Sequence, residues 1–114
     1  MVESNFHIEV ESHDSATVVI PIGDVDLSRS SDLRLALKPL INASPKKIIV
    51  DLASVSYMDS SGVATLIEAL QLSKRADINF MLCCLTDGVR SIIELARLDQ
   101  IFAIYATRED SLES

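Results

Sequence analysis

The run Asp59-Ser60-Ser61-Gly62 holds the residues best suited to chemistry in this 114-residue sequence, because a serine pair can supply a nucleophile or accept a phosphate. Nucleophilic catalysis by serine needs a base within reach, usually histidine, and the strand-turn-helix elbow of hydrolases reads G-x-S-x-G. Here the serine pair lacks the first glycine, and the two histidines, His7 and His13, lie in or just after the first expected strand. Phosphate cradles need several glycines close together. The three glycines, Gly23, Gly62 and Gly88, are far apart. Cys83 and Cys84 are adjacent rather than spaced as a zinc motif, and read as strand residues of a reducing compartment. The sequence is therefore read as no enzyme, with no catalytic residue, no metal ligand and no cofactor.

Phosphate acceptance fits better. Helix N-terminal amides favour negative charge, so a phosphate on Ser60 is expected to be accommodated by the amides of Ser61, Gly62 and Val63. It adds roughly −1.5 to −2 charges beside Asp59. If Asp24 and Asp26 face the same end of the sheet, an anion cluster forms there. A partner docked by Arg or Lys and close packing would then lose its fit, so one phosphate acts as an off switch. The plainer reading makes Ser60 a helix cap and the two loop acids solvated surface groups. On a helical wheel Ser61, Thr65, Glu68 and Leu72 stand opposite the core stripe, which puts Leu72 at the edge of a docking patch.

These residues need a scaffold. Phe6, Ile8 and Val10 alternate with polar residues as in a half-buried strand, and Glu11 to Ser15 supply a turn. Thr17 to Ile22 form a second strand antiparallel to the first, with the Pro21 nitrogen facing away from a partner. Asp24 to Ser28 read as a polar loop before a helical stripe of Leu33, Ala36, Leu37, Leu40 and Ile41. Pro39 predicts a kink or an early break near Lys38. Ile48 to Leu52 is the sheet's middle strand. Asp59 or Ser60 caps a second helix with Val63, Leu66, Ile67 and Leu70 on one stripe. Asp77 to Cys84 is a strand, Asp87 caps a helix bearing Val89, Ile92, Ile93 and Ala96, and Ile101 to Tyr105 is the last strand. The core spans about 6–106, and 107–114 is a polar tail with room for one helical turn. The order predicts a single α/β domain over 1–114, with a mixed, mostly parallel β-sheet of four to five strands and three to four α-helices.

Composition narrows the function classes. Asp and Glu number 17 against 10 Lys and Arg, a formal charge of −7. Six of the acids (Glu3, Glu9, Glu11, Asp14, Asp24 and Asp26) precede the first basic residue, Arg29. Nucleic-acid binding needs clustered cations, and only Lys46-Lys47 and Lys74-Arg75 are adjacent basic pairs, so no nucleic-acid partner is expected. No stretch reaches the length of a membrane span, and MVESNFHIEVE has neither the basic flank nor the apolar core of a secretion signal. The expectation is a cytoplasmic protein without membrane insertion.

The combination resembles the STAS family, the anti-sigma factor antagonists. Ile48-Ile49-Val50-Asp51-Leu52, the linker Val55-Ser56-Tyr57-Met58, and Asp59-Ser60-Ser61-Gly62 before an apolar helix are similar to that family's signature segment. In it, the first serine of the D-S-S-G or D-S-x-G run accepts phosphate. Gly23-Asp24-Val25-Asp26 resembles the family's G-[DE]-x-D loop, and Leu95 to Phe102 its closing helix-strand element. The likeness runs from about Phe6 to Leu112; the departure is Pro39, inside a helix usually uninterrupted in the family.

The resemblance implies a small domain whose unphosphorylated form binds an anti-sigma factor that is also its serine kinase, freeing a sigma factor. ATP and Mg belong to that kinase. Carried over, Ser60 is the phosphoacceptor, Asp26 the loop acid that meets a basic kinase residue, and Asp59, Ser61 and Gly62 shape the phosphorylation loop. Asp24 and Leu72 complete the expected partner-binding set. A PP2C-type serine phosphatase resets the switch. The alternative is a non-enzymatic STAS adaptor subunit of a lipid ABC transporter or of a larger signalling assembly.

Overall fold

The run Lys47–Asp51 (β3) places Ile48, Ile49 and Val50 in succession, and all three are fully buried in the computed structural model. Consecutive β-branched residues suit a strand covered on both faces, and each side chain contributes about 1.5–3 kcal/mol by leaving water. β3 is the middle of a five-stranded sheet with the other strands His7–His13 (β1), Ala16–Ile22 (β2), Asn79–Cys83 (β4) and Ala103–Tyr105 (β5), ordered β1-β2-β3-β4-β5. Only β1 runs antiparallel, joined to β2 by a tight turn in which Asp14 takes a left-handed φ of 53°. The structure describes residues 6–114; residues 1–5, with Glu3 and the start of the segment read for a secretion signal, lie outside the described residues.

Leu27–Asn42 (α1), Ser60–Arg75 (α2) and Asp87–Leu95 (α3) are the crossovers. Strand order follows chain order, so crossovers of one hand bring all three helices to one face. Leu33 and Leu37 of α1, Leu66 of α2 and Ile93 of α3 pack there on Val19, Val50 and Leu82. The mixed α/β architecture expected from sequence is the one observed. Among the described residues no helix is long and apolar enough to cross a membrane.

Several expectations need correction. α1 runs unbroken through Pro39 to Asn42. Pro39 cannot bond the Leu35 carbonyl, but both residues are on the exposed face, where water can satisfy that carbonyl. Val10 is 47% exposed although it alternates with Phe6 and Ile8, because β1 is an edge strand and only those two residues reach the helix layer. The last strand begins at Ala103, not Ile101: the Ile101 and Phe102 amides bond back to the Leu98 carbonyl at 3.0 and 2.9 Å and are lost to the sheet. The stretch expected as a polar tail is the helix Arg108–Glu113 (α4), and it covers the sheet's other face. Its Leu112 packs against the cluster that includes Val18, Ile49, Met81 and Cys83, and Arg108 Nε meets buried Asp51 at 2.9 Å while its Nη1 meets Glu11 at 3.0 Å.

Proline costs about 3 kcal/mol in a helix interior and less near an end. Pro39→Ala is therefore expected to raise unfolding stability by about 1–2 kcal/mol, read from urea titration; an unchanged or lower midpoint would show that the proline has a compensating role.

Candidate functional site

β2 and β3 run parallel, so the loops that follow them emerge at the same end of the sheet. A polar backbone buried there must find partners, and each loop supplies the other's. The Gly23 amide donates to the Ser54 carbonyl at 3.0 Å, the Val25 amide to Tyr57 at 3.0 Å, and the Asp59 amide to Val25 at 3.1 Å. The Ser56 hydroxyl donates to Asp24 Oδ1 at 2.8 Å. Val25, expected in a polar loop, is fully buried with Met58 as a one-residue parallel bridge. Gly62 lies directly beneath this bridge: a Cβ there would come within 2.5 Å of Met58 Cγ and 2.9 Å of Val25 Cγ1. The start of α3 closes the third side. Thr86 Oγ1 donates to the Val55 carbonyl at 2.6 Å, and a Cβ on Gly88 would lie 2.3 Å from the Ser56 carbonyl oxygen.

The two clamped loops end in the same local structure. Asp26 caps α1 and Asp59 caps α2, each in extended conformation with a serine two residues on. Asp26 Oδ1 accepts from the Ser28 amide and hydroxyl at 3.0 and 2.7 Å. Asp59 Oδ1 accepts from the Ser61 amide and hydroxyl at 2.9 and 2.5 Å and from the Gly62 amide at 3.3 Å. The residues between cap and serine, Leu27 and Ser60, occupy the first helical position and are both exposed. Leu27 is 76% exposed, and Tyr57 beside the clamp 52%.

This arrangement settles which side chain caps α2. Asp59 does so, with Ser61 as its donor, and among the described residues nothing holds the Ser60 hydroxyl. It also corrects the expectation that helix amides would cradle a phosphate on Ser60. The Ser61 and Gly62 amides already serve the Asp59 carboxylate, and the Val63 amide donates to the Asp59 carbonyl at 3.1 Å. A phosphate on Ser60 would face water next to Asp59.

The Ser61 hydroxyl, helped by the Gly62, Ser61 and Leu27 amides, holds the Asp59 carboxyl below the usual carboxylate range against the cost of burial. The Ser28 hydroxyl does the same for Asp26, assisted by Arg29. Burial pushes the Cys83 thiol up to about 12, so it stays protonated at neutral pH and is a poor nucleophile.

Asp24, Asp26, Asp59, Ser60 and Ser61 thus share one end of the molecule. Of these, Asp26 is already engaged: its Oδ2 accepts from Arg29 Nη1 at 3.4 Å. Gly62 is buried and acts through packing, not through contact with a visitor. Leu72 stands apart, twelve residues along α2 or about 18 Å from Ser60. The face expected opposite the core is the face that meets α1: Thr65, Glu68 and Leu72 line the seam with Arg34, Leu37 and Ile41, and Arg34 Nε bonds Glu68 at 2.7 Å. Leu27 and Tyr57 were not singled out from sequence. The repeated D-x-S pattern of Asp26-Leu27-Ser28 and Asp59-Ser60-Ser61 was the available signal for the paired helix starts.

Residues 7–111 match the family model of the STAS domain. The anti-sigma-B factor antagonist of Staphylococcus epidermidis is 25% identical over 100 residues, covering 88% of this chain and 93% of that protein. The crystal structure of an anti-sigma factor antagonist from Mycobacterium paratuberculosis superimposes with a TM-score of 0.88 at 27% identity, over 96% of this chain and 92% of that one. The anti-sigma factor antagonist SpoIIAA in its unphosphorylated form gives a TM-score of 0.81 at 20% identity, over 94% of each chain. The Bacillus cell fate determinant SpoIIAA in its phosphorylated form gives 0.72 at 20% identity, over 95% of this chain and 96% of that one. At 20% identity that likeness is one of fold.

A carboxylate whose pKa is lowered by folding contributes stability that is present above its unfolded pKa, near 4, and is lost as pH falls through the lower folded value. Asp59→Asn removes this contribution. Its unfolding stability should fall less steeply than the wild type's as pH drops below about 4, measured by urea titration at stepped pH; identical acid limbs would contradict the capping geometry.

Proposed function

The chain belongs to the STAS domain family, and on that premise we propose that it is an anti-sigma factor antagonist switched by phosphorylation of Ser60. Unphosphorylated, it binds an anti-sigma factor that is also a serine kinase, and a sigma factor is released. ATP and Mg serve that kinase, a PP2C-type serine phosphatase reverses the modification, and the exchange takes place in the cytoplasm. No catalytic step falls to this chain's own residues. The names of the Staphylococcus epidermidis and Mycobacterium paratuberculosis relatives, both anti-sigma factor antagonists, support the partner class.

The observation that carries the proposal is the division of labour at the start of α2. Asp59 and Ser61 perform the capping, which leaves the Ser60 hydroxyl exposed and without a hydrogen bond among the described residues. A kinase can take this hydroxyl without undoing the helix. The surface around it is mixed: exposed Leu27 and Tyr57 offer apolar contact, and Asp24 and Asp59 offer charge. A basic partner that packs closely on Leu27 would desolvate Ser60.

A phosphate there adds bulk and roughly −1.5 to −2 charges that no free helix amide neutralises. Burying it against a partner carries a desolvation cost, and the docked fit is lost.

Incubation with the cognate anti-sigma factor kinase and Mg-ATP should place one phosphate on Ser60 and none on Ser61, located by mass spectrometry. Ser60→Ala is expected to bind the kinase like the wild type, and Ser60→Asp at least about tenfold more weakly. Phosphate on another residue, or equal affinities of the two variants, would overturn the proposal.

A further inference from the structure

A second cluster lies on the sheet face opposite α1, α2 and α3. Asp51 at the end of β3 and Cys83 at the end of β4 are register partners, so their side chains stand side by side beneath α4. Cys84 follows in the left-handed conformation with φ 60°. A residue with a Cβ adopts it at a steric cost. In a continuing strand Cys84 would point to the other face. Instead the left-handed turn brings its thiol beside that of Cys83. The two Sγ atoms and a carboxylate oxygen of Asp51 all lie within 4.8 Å of one another, with Asp51 and Cys83 buried and Cys84 half-buried.

We propose that Cys83, Cys84 and Asp51 form a binding site for one thiophilic divalent cation of the zinc type. Two thiolates and a carboxylate are a donor set such ions take, and half-exposed Cys84 leaves a side from which water can supply a fourth ligand. Tetrahedral coordination with Zn–S near 2.3 Å and Zn–O near 2.0 Å sets ligand atoms roughly 3.5–3.8 Å apart, so the side chains need to draw in by about 1 Å.

The surroundings suit a bound cation. Asp51 Oδ1 accepts from the Ala53 amide at 3.0 Å and Oδ2 from Arg108 Nε at 2.9 Å. A carboxylate has about four lone-pair sites, so acceptor capacity remains for a metal. Outer hydrogen bonds of this kind orient metal-ligating carboxylates. The charges nearly balance: two thiolates, Asp51 and the Glu11 carboxylate that shares Arg108 carry −4, against +2 from the cation and +1 from the guanidinium. Each thiol gives its proton to solvent as its sulfur takes the cation; no electron moves and no oxidant is required. The bound ion would tie β3 to β4 beneath α4.

The test titrates the reduced protein with Cd2+ and follows the thiolate-to-metal charge-transfer band in the ultraviolet. The band should saturate at one equivalent and be competed by Zn2+. Asp51→Asn should keep the band but bind at least about tenfold more weakly. Cys84→Ser, at a half-buried position, should lose about half the band per bound ion and at least about tenfold in affinity. One equivalent of Zn2+ should raise the thermal midpoint of the wild type, reversibly with a chelator, and leave that of Cys84→Ser unchanged. Absence of a thiolate band, or an undiminished band and midpoint shift in Cys84→Ser, would overturn the proposal. Cation binding without a thiolate band would place the ion on surface groups such as His7–Glu9 or His13–Glu11, also against it.

Discussion

The backbone bridge between Val25 and Met58 is the constraint on which the rest of this end of the molecule depends. Two hydrogen bonds, Val25 amide to Tyr57 and Asp59 amide to Val25, lock the loop after β2 to the loop after β3. Both side chains of the bridge are fully buried, so the link is part of the core and not a surface contact. It brings Asp26 and Asp59 close enough that the Leu27 amide contributes to holding the Asp59 carboxylate in its charged form. The absence of a side chain at Gly62 lets α2 begin directly under it. Packing, capping and the position of Ser60 all follow from this one crossing of chains.

Electrostatics then separates two roles that a single serine could have filled. A helix start has unpaired amides that attract an anion, and Asp59 already supplies that anion. Ser60 is left with no structural duty, and any charge added to it is surplus. The same reasoning would give the proposed phosphate on Ser60 its effect: it would enter a corner where the helix amides are spent and the Asp59 carboxylate stands beside it. The sheet's other face uses charge differently. There Arg108 joins Asp51 and Glu11 and anchors α4, and a buried ion pair of this kind is costly to break because it strands a charge.

Much of this could be read from the residues. The Ile48-Ile49-Val50 run marked the central strand because consecutive β-branched residues suit a strand buried on both faces, and Asp59-Ser60-Ser61-Gly62 marked a helix start. What escaped depended on contacts between distant segments. Val25 looks like a loop residue until Met58 is placed against it. Leu72 looks unpartnered on an isolated wheel, yet it faces α1. Pro39 breaks a helix in principle, but not where water can take over the freed carbonyl. The segment after Tyr105 is polar in composition, and its packing rests on Arg108, Ser111 and Leu112 meeting a sheet face that local periodicity does not reveal. Cys84 reads as one more strand residue because a left-handed turn at a cysteine has no sequence signal.

If Ser60 stands on a rigid platform, phosphate on it alters the surface without altering the fold. Backbone amide NMR of the unphosphorylated and stoichiometrically phosphorylated protein tests it most directly. Shift changes are expected only in the two clamped loops and the first turns of α1 and α2, with the rest of the sheet and α4 unmoved. Changes spread through β3, β4 and α4 would contradict it, and would show that phosphate works by rearranging the domain.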